Sequence, residues 1–243
     1  MKPWSSKSVA SHLNYLDKNS EVNTNPKKNL HHIKFADFLT FIKKLQSLEI
    51  YYSEHVSVFD VGCGTARILN FLPDFYDKYV GTDINESVLE IAQEINNKHN
   101  TGKNSLLNWD IEGSSKINKD TLKHIEDCNI CYLDSTFTML ENPENVLIDF
   151  ILPNFDICYF GRTTCSRTTS RGTHCWSGMP NGSTSPLWEF CQNFWIHTLE
   201  PYRDSHLVWI FQDHVVLWKK EKMDLDSFRA HGRTMLYNCR STK

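Results

Sequence analysis

At 243 residues the chain is long enough for one large domain with a well-buried core, or for two small ones. Hydrophobic residues make up 40% and charged residues 23%, an ordinary soluble composition, and a formal charge of −3 gives no general attraction to nucleic acid or anionic membrane. No stretch approaches the roughly 18 apolar residues of a membrane span, and residues 1–18 lack the apolar core of a secretory signal, so a cytoplasmic protein with no membrane partner is expected.

Residues 1–28 are polar and rich in Lys and Asn, and read as a mobile or capping segment; residues 1–54 together form an N-terminal helical cap. From Leu30 to Leu45, Ile33, Phe38, Phe41, Ile42 and Leu45 recur at helical spacing. The pattern then alternates. Strands are expected at 55–62, 78–84, 105–111, 128–136 and 155–162. Helices are expected between them: 65–72 ended by Pro73, one capped by Asn85, 117–125, and one opened by Asn142-Pro143. Residues 163–185 break the rhythm with Ser, Thr and Gly, and an insert at 161–185 reads as a loop. PLWEFCQNFWIHTL (186–199) looks helical. HLVWIFQ and DHVVLWKK then have almost no chain between them, which demands an antiparallel hairpin, because a parallel return needs a dozen or more residues. Residues 55–220 thus read as an α/β core with a mostly parallel, doubly wound sheet, and 221–243 as a tail.

The eight cysteines are scattered (63, 128, 131, 158, 165, 175, 191 and 239) and do not form a disulfide scaffold. Cys128 and Cys131 form a CxxC, but a strand would turn them to opposite faces, and a zinc site needs a second ligand pair. Buried, reduced thiols and no metal are expected.

VFDVGCGTARIL (58–69) is an apolar strand, a glycine turn and the start of a helix. Such a turn presents backbone N–H groups at the carboxyl edge of a sheet, where open α/β folds bind ligands. A dinucleotide fold wants GxGxxG, yet Arg67 stands at the third glycine; a Walker loop wants GK[ST], and none follows.

The turn instead resembles motif I of the class I S-adenosylmethionine-dependent methyltransferases, an acid followed by GxGxG. Asp60, Gly62 and Gly64 match, Cys63 lies between the glycines, and Ala66 replaces the last one. YVGTDI places Asp83 and Ile84 at the end of the second strand, where the resemblance implies a carboxylate on the ribose hydroxyls. NWDI supplies Asp110 and Ile111 for the adenine amino group and ring, and YLDST resembles motif IV, placing Asp134 between donor and acceptor. The resemblance spans 55–220 and implies a Rossmann-like, seven-stranded sheet with a C-terminal hairpin, S-adenosylmethionine as cofactor, and methyl transfer by in-line displacement.

For the acceptor, LDSTFT departs from the NPPY or DPPY of nucleobase N-methyltransferases. Between Ile157 and Trp188, Arg162, Arg167 and Arg171 occur with no acidic residue. Such forks can hold a carboxylate or phosphate, and with His174 and Trp176 they suggest an acceptor-site lid; a solvated loop is the alternative. A small-molecule acceptor is expected. RNA (a cap) or protein as acceptor, and a non-catalytic binding subunit, remain as alternatives.

Overall fold

The computed structural model describes residues 30–66, 68–69, 74–98, 102–113, 119–163, 165–166, 168–175, 184–211 and 214–230. The first helix, α1 (Leu30–Ser47), buries Phe35, Phe38, Leu39, Ile42 and Leu45, one stripe at helical spacing. Five strands follow: β1 (Ser57–Val61), β2 (Lys78–Asp83), β3 (Asn104–Asn108), β4 (Ile130–Asp134) and β5 (Ile157–Gly161). Between them lie α2 (Glu86–Lys98), α3 (Lys119–Ile125), α4 (Thr136–Met139) and a longer helical run, α5. That run opens at Pro143–Asn145, widens to a π-helix over Val146–Ile151 and closes at Leu152–Asn154. Pro153 has no N–H to give to the preceding turn; Leu152 N–H bonds Leu147 O instead, and the Asn154 amide donates to Phe150 O at 2.6 Å.

Near the C-terminus, β9 (His206–Phe211) and β10 (His214–Lys219) form the expected hairpin. The sheet order is β3-β2-β1-β4-β5-β10-β9, with β1 to β5 parallel and β10 antiparallel to β5. The chain winds outward from β1 to β3, then returns to β4 on the other side of β1. A crevice therefore opens at the carboxyl ends of β1 and β4, the switch point where such sheets bind ligands.

Alternate residues pack two layers. Val58, Tyr79, Tyr132, Tyr159 and Trp218 meet α1 on one face, whereas Phe59, Leu133, Cys158, Phe160 and Leu217 meet α5 on the other. The segment after β10 closes on the first face: Tyr51 bridges Met223, Asp224 N–H donates to Ile50 O, and Phe228 meets Phe41 and Trp218 edge-on.

Three expectations differ from the fold. The Ser/Thr/Gly-rich insert is not a plain loop: β6 (Cys165–Ser166) and β7 (Ser170–Cys175) pair with β8 (Thr184–Cys191) in a separate three-stranded sheet. The helix expected from residue 186 begins only at Gln192 and ends at Leu199 (α6). Ladder bonds to β7 override the helical spacing of the apolar residues, and Pro186 sits where only β7 is alongside. Cys128 is a third correction. It precedes β4, in a turn bonded to Ile125 O, so Cys128 and Cys131 pack in the same apolar layer rather than on opposite faces.

Candidate functional site

β1 leaves the sheet into a left-handed turn. Gly62, Gly64 and Ala66 adopt φ of 69°, 56° and 48°. Gly62 is constrained twice, because a Cβ there would stand 2.3 Å from Thr136 Oγ1. That contact also joins the β1 turn to the one after β4, across the crevice. At Gly64 a Cβ would meet nothing within 4 Å, so that side of the turn is open. Ala66 bears the left-handed backbone without being glycine, a strain of about 1–2 kcal/mol.

The end of β2 holds this turn. Cys63 N–H donates to Thr82 O at 2.8 Å. Gly64 N–H donates to Asp83 Oδ2 at 3.0 Å, and Asn85 N–H to Asp83 Oδ1 at 2.9 Å. Burial raises the Asp83 carboxyl above its usual value, and the N–H groups of Asn85, Gly64 and Ile84 oppose that rise. The next side chain, Ile84, is 43% exposed, an apolar surface at the mouth of the crevice. Asp110 and Ile111 lie just past β3 rather than within it. Asp110 Oδ1 accepts the Glu112 N–H at 3.0 Å, and Trp109 N–H donates to Asp83 O at 3.1 Å, which draws this turn beside the end of β2. Ile111 packs half-buried against the apolar layer behind.

Asp60, at 4% exposure, points to the same side of the sheet as α1, and its Oδ2 accepts the Tyr79 hydroxyl at 2.8 Å. Across the switch point, Asp134 accepts a forked bond from Arg162, Nε to Oδ1 and Nη2 to Oδ2, each at 2.7 Å. The sequence suggests a cofactor contact for Asp134 and an acceptor contact for Arg162; in the fold the two side chains form one unit. Ser135 and Arg162, at the ends of β4 and β5, have φ of 66° and 53°, left-handed backbone on non-glycine residues of the kind concentrated at functional sites. In register, Asp134 pairs Gly161, and Val215 pairs Phe160, so His214 follows on the far side of Gly161. His214 is 1% exposed, with its Nε2 3.1 Å from Lys34 Nζ on α1.

The fold therefore gathers Asp60, Gly62, Cys63, Gly64, Asp83, Ile84, Asp110, Ile111, Asp134 and Arg162 along one edge of the sheet. Arg167 and Trp176 lie outside the described residues; Arg171 and His174 fall in β7, with side chains beyond the description. Tyr79, Thr136, Lys34 and His214 are additional members of this edge. Tyr79 had a signal, since period-two alternation in YVGTD sets it on the same face as Gly81 and Asp83. Lys34 and His214 are 180 residues apart, and no local pattern pairs them. Among the described residues, no group of three or more His, Cys, Asp or Glu could hold a metal ion, and no helix is long and apolar enough to cross a membrane.

Residues 59–149 match the family model of a methyltransferase domain. No curated protein matches the chain by sequence. Among solved structures, DesVI of Streptomyces venezuelae is similar with a TM-score of 0.53 and 11% identity, over 89% of this chain and 99% of that one. The N-terminal domain of EvdMO1 with S-adenosylhomocysteine bound is similar with a TM-score of 0.52 and 13% identity, over 76% of this chain and 80% of that one. At such identities the likeness establishes the fold.

Proposed function

We propose that this chain, which carries a class I S-adenosylmethionine-dependent methyltransferase domain, transfers the methyl group to a small-molecule acceptor seated over the carboxyl ends of β4 and β5. The observation that carries the reading is the carboxylate of Asp83, fixed at the end of β2 by the Gly64 and Asn85 N–H groups. It stands beside an open glycine turn, ready to accept further hydrogen bonds from a vicinal diol.

The residues fit the cofactor. Asp83 holds the ribose hydroxyls, while Ile84 and Ile111 flank the adenine and Asp110 accepts from its amino group. Asp60, with the Gly62-Cys63-Gly64 backbone, receives the methionine end, because a carboxylate there suits its ammonium and would repel a pyrophosphate. When bound, S-adenosylmethionine supplies an electrophilic methyl on sulfur. The chain's part is alignment and exclusion of water. The forked Arg162 keeps Asp134 rigid beside the donor, so Arg162 acts through Asp134 rather than by clasping an anion on the acceptor. Gly161, without a side chain, lets the Asp134 carboxylate lie across it, since a Cβ there would come within 3.0 Å of Asp134 Oδ1.

The net charge of −3 favours a small acceptor over RNA. Incubating the protein with methyl-labelled cofactor and a fractionated cell extract tests this. Label in the low-molecular-weight fraction is the expected result. Label found only in RNA or protein, or bound cofactor with no label transferred to any fraction, would overturn it.

A further inference from the structure

Tyr79 stands second in β2, with its ring fully buried. Its phenol runs along the strand over Gly81, where a Cβ would come within 2.9 Å of the ring and hydroxyl and 3.0 Å of Cys63 Sγ. Any side chain at 81 would thus push the phenol aside. Beyond Gly81 the hydroxyl donates to Asp60 Oδ2 at 2.8 Å. Two strands and the glycine turn converge on this one bond.

We propose that Tyr79 is a positioning residue for the cofactor: its hydroxyl sets the orientation of the Asp60 carboxylate that receives the amino-acid end of S-adenosylmethionine. A carboxylate as buried as Asp60 needs hydrogen-bond donors to remain ionised and to keep one rotamer. Burial, with the Asp60 charge beside it, pushes the Tyr79 phenol well above its usual value, so the hydroxyl keeps its proton and remains a donor. Gly81 then has a defined purpose, which is to let the phenol pass. The inference rests on Asp60 belonging to the cofactor site.

The test titrates S-adenosylhomocysteine and 5′-methylthioadenosine, which lacks the amino-acid end, into wild type, Tyr79→Phe, Asp60→Asn and the double variant. Tyr79→Phe should weaken S-adenosylhomocysteine by about tenfold or more, the value of one hydrogen bond to a charged group, and leave 5′-methylthioadenosine unchanged. Introduced together with Asp60→Asn it should add nothing, because the two residues act as one unit. Equal loss for both ligands would mean a packing role and overturn the inference. Wild-type affinity in Tyr79→Phe, with Asp60→Asn weakened, would overturn it while leaving the site intact. Unaltered binding in Asp60→Asn would remove Asp60 from the site, and the inference with it. If Tyr79→Phe does not fold, Gly81→Ala decides. It keeps the hydroxyl but displaces it, and should show the same selective loss; unchanged S-adenosylhomocysteine affinity there would count against the inference.

Discussion

Gly62 and Gly64 share a left-handed backbone but not the same constraint. At Gly62 the added Cβ would strike a β-branched side chain, Thr136, that cannot swing away freely, whereas at Gly64 it enters open space. Gly62→Ala is therefore expected to cost about 1–3 kcal/mol of stability and to misplace the turn. Gly64→Ala should cost about 1 kcal/mol, the left-handed strain alone. Chemical denaturation of the two variants checks the order; equal losses would show that the Thr136 contact does not matter. The glycines and the strand-end acids were legible in the sequence because each sits at a boundary between an apolar run and a turn. The partners of those acids were not. Alternation sets Tyr79 on the face of Asp83, but the pairing of Tyr79 with Asp60, like that of Arg162 with Asp134, comes through lateral strand pairing, which leaves no local mark.

At the scale of elements, the five parallel strands and the hairpin announce themselves through short apolar runs and the near-absence of chain between β9 and β10. The small sheet does not. Phe190 and Trp195 fit a helical stripe, yet β8 brings Phe190 to the end of a strand, and α6 brings Trp195 to the same aromatic cluster. Phe137 on α4 is the centre of that cluster, fully buried between Phe160, Phe190 and Trp195. Trp188 Nε1 adds a bond to Leu140 O at 2.9 Å. Phe137→Ala should cost about 3–5 kcal/mol, as truncations of buried aromatics do. Hydrogen exchange should show β8 losing protection together with the end of β4. A loss near zero would mean that the small sheet does not dock on the core through Phe137.

At the scale of the whole molecule, His206 contributes stability that falls on mild acidification, whereas Asp37, Asp83 and Asp156, raised by burial, act the other way. It is buried at the start of β9 with Nδ1 2.9 Å from Ser205 Oγ, and among the described residues its Nε2 has no hydrogen-bond partner. Burial first, and then the charge of Lys219, hold it below its usual value of 6.5, with Lys220 acting the same way and Glu221 opposing. The folded state thus binds the proton more weakly than the unfolded one. The stability is fully present above 6.5 and is lost as pH falls through that value toward the lowered one. Urea midpoints of wild type should therefore drop relative to those of His206→Gln between about pH 7.5 and 5.5; a constant difference would clear His206 of this role.

The pairing of β1 with β2 puts the glycine turn and Asp83 together beside the switch point, and the identity of the cofactor follows from that pair. Calorimetric titration of S-adenosylhomocysteine against wild type and Asp83→Ala, with NAD as the control, tests it most directly. Wild type should bind in the micromolar range, Asp83→Ala should bind about 10- to 150-fold more weakly from the lost bonds to a charged group, and NAD should give no heat. Heat with NAD and none with S-adenosylhomocysteine would contradict it.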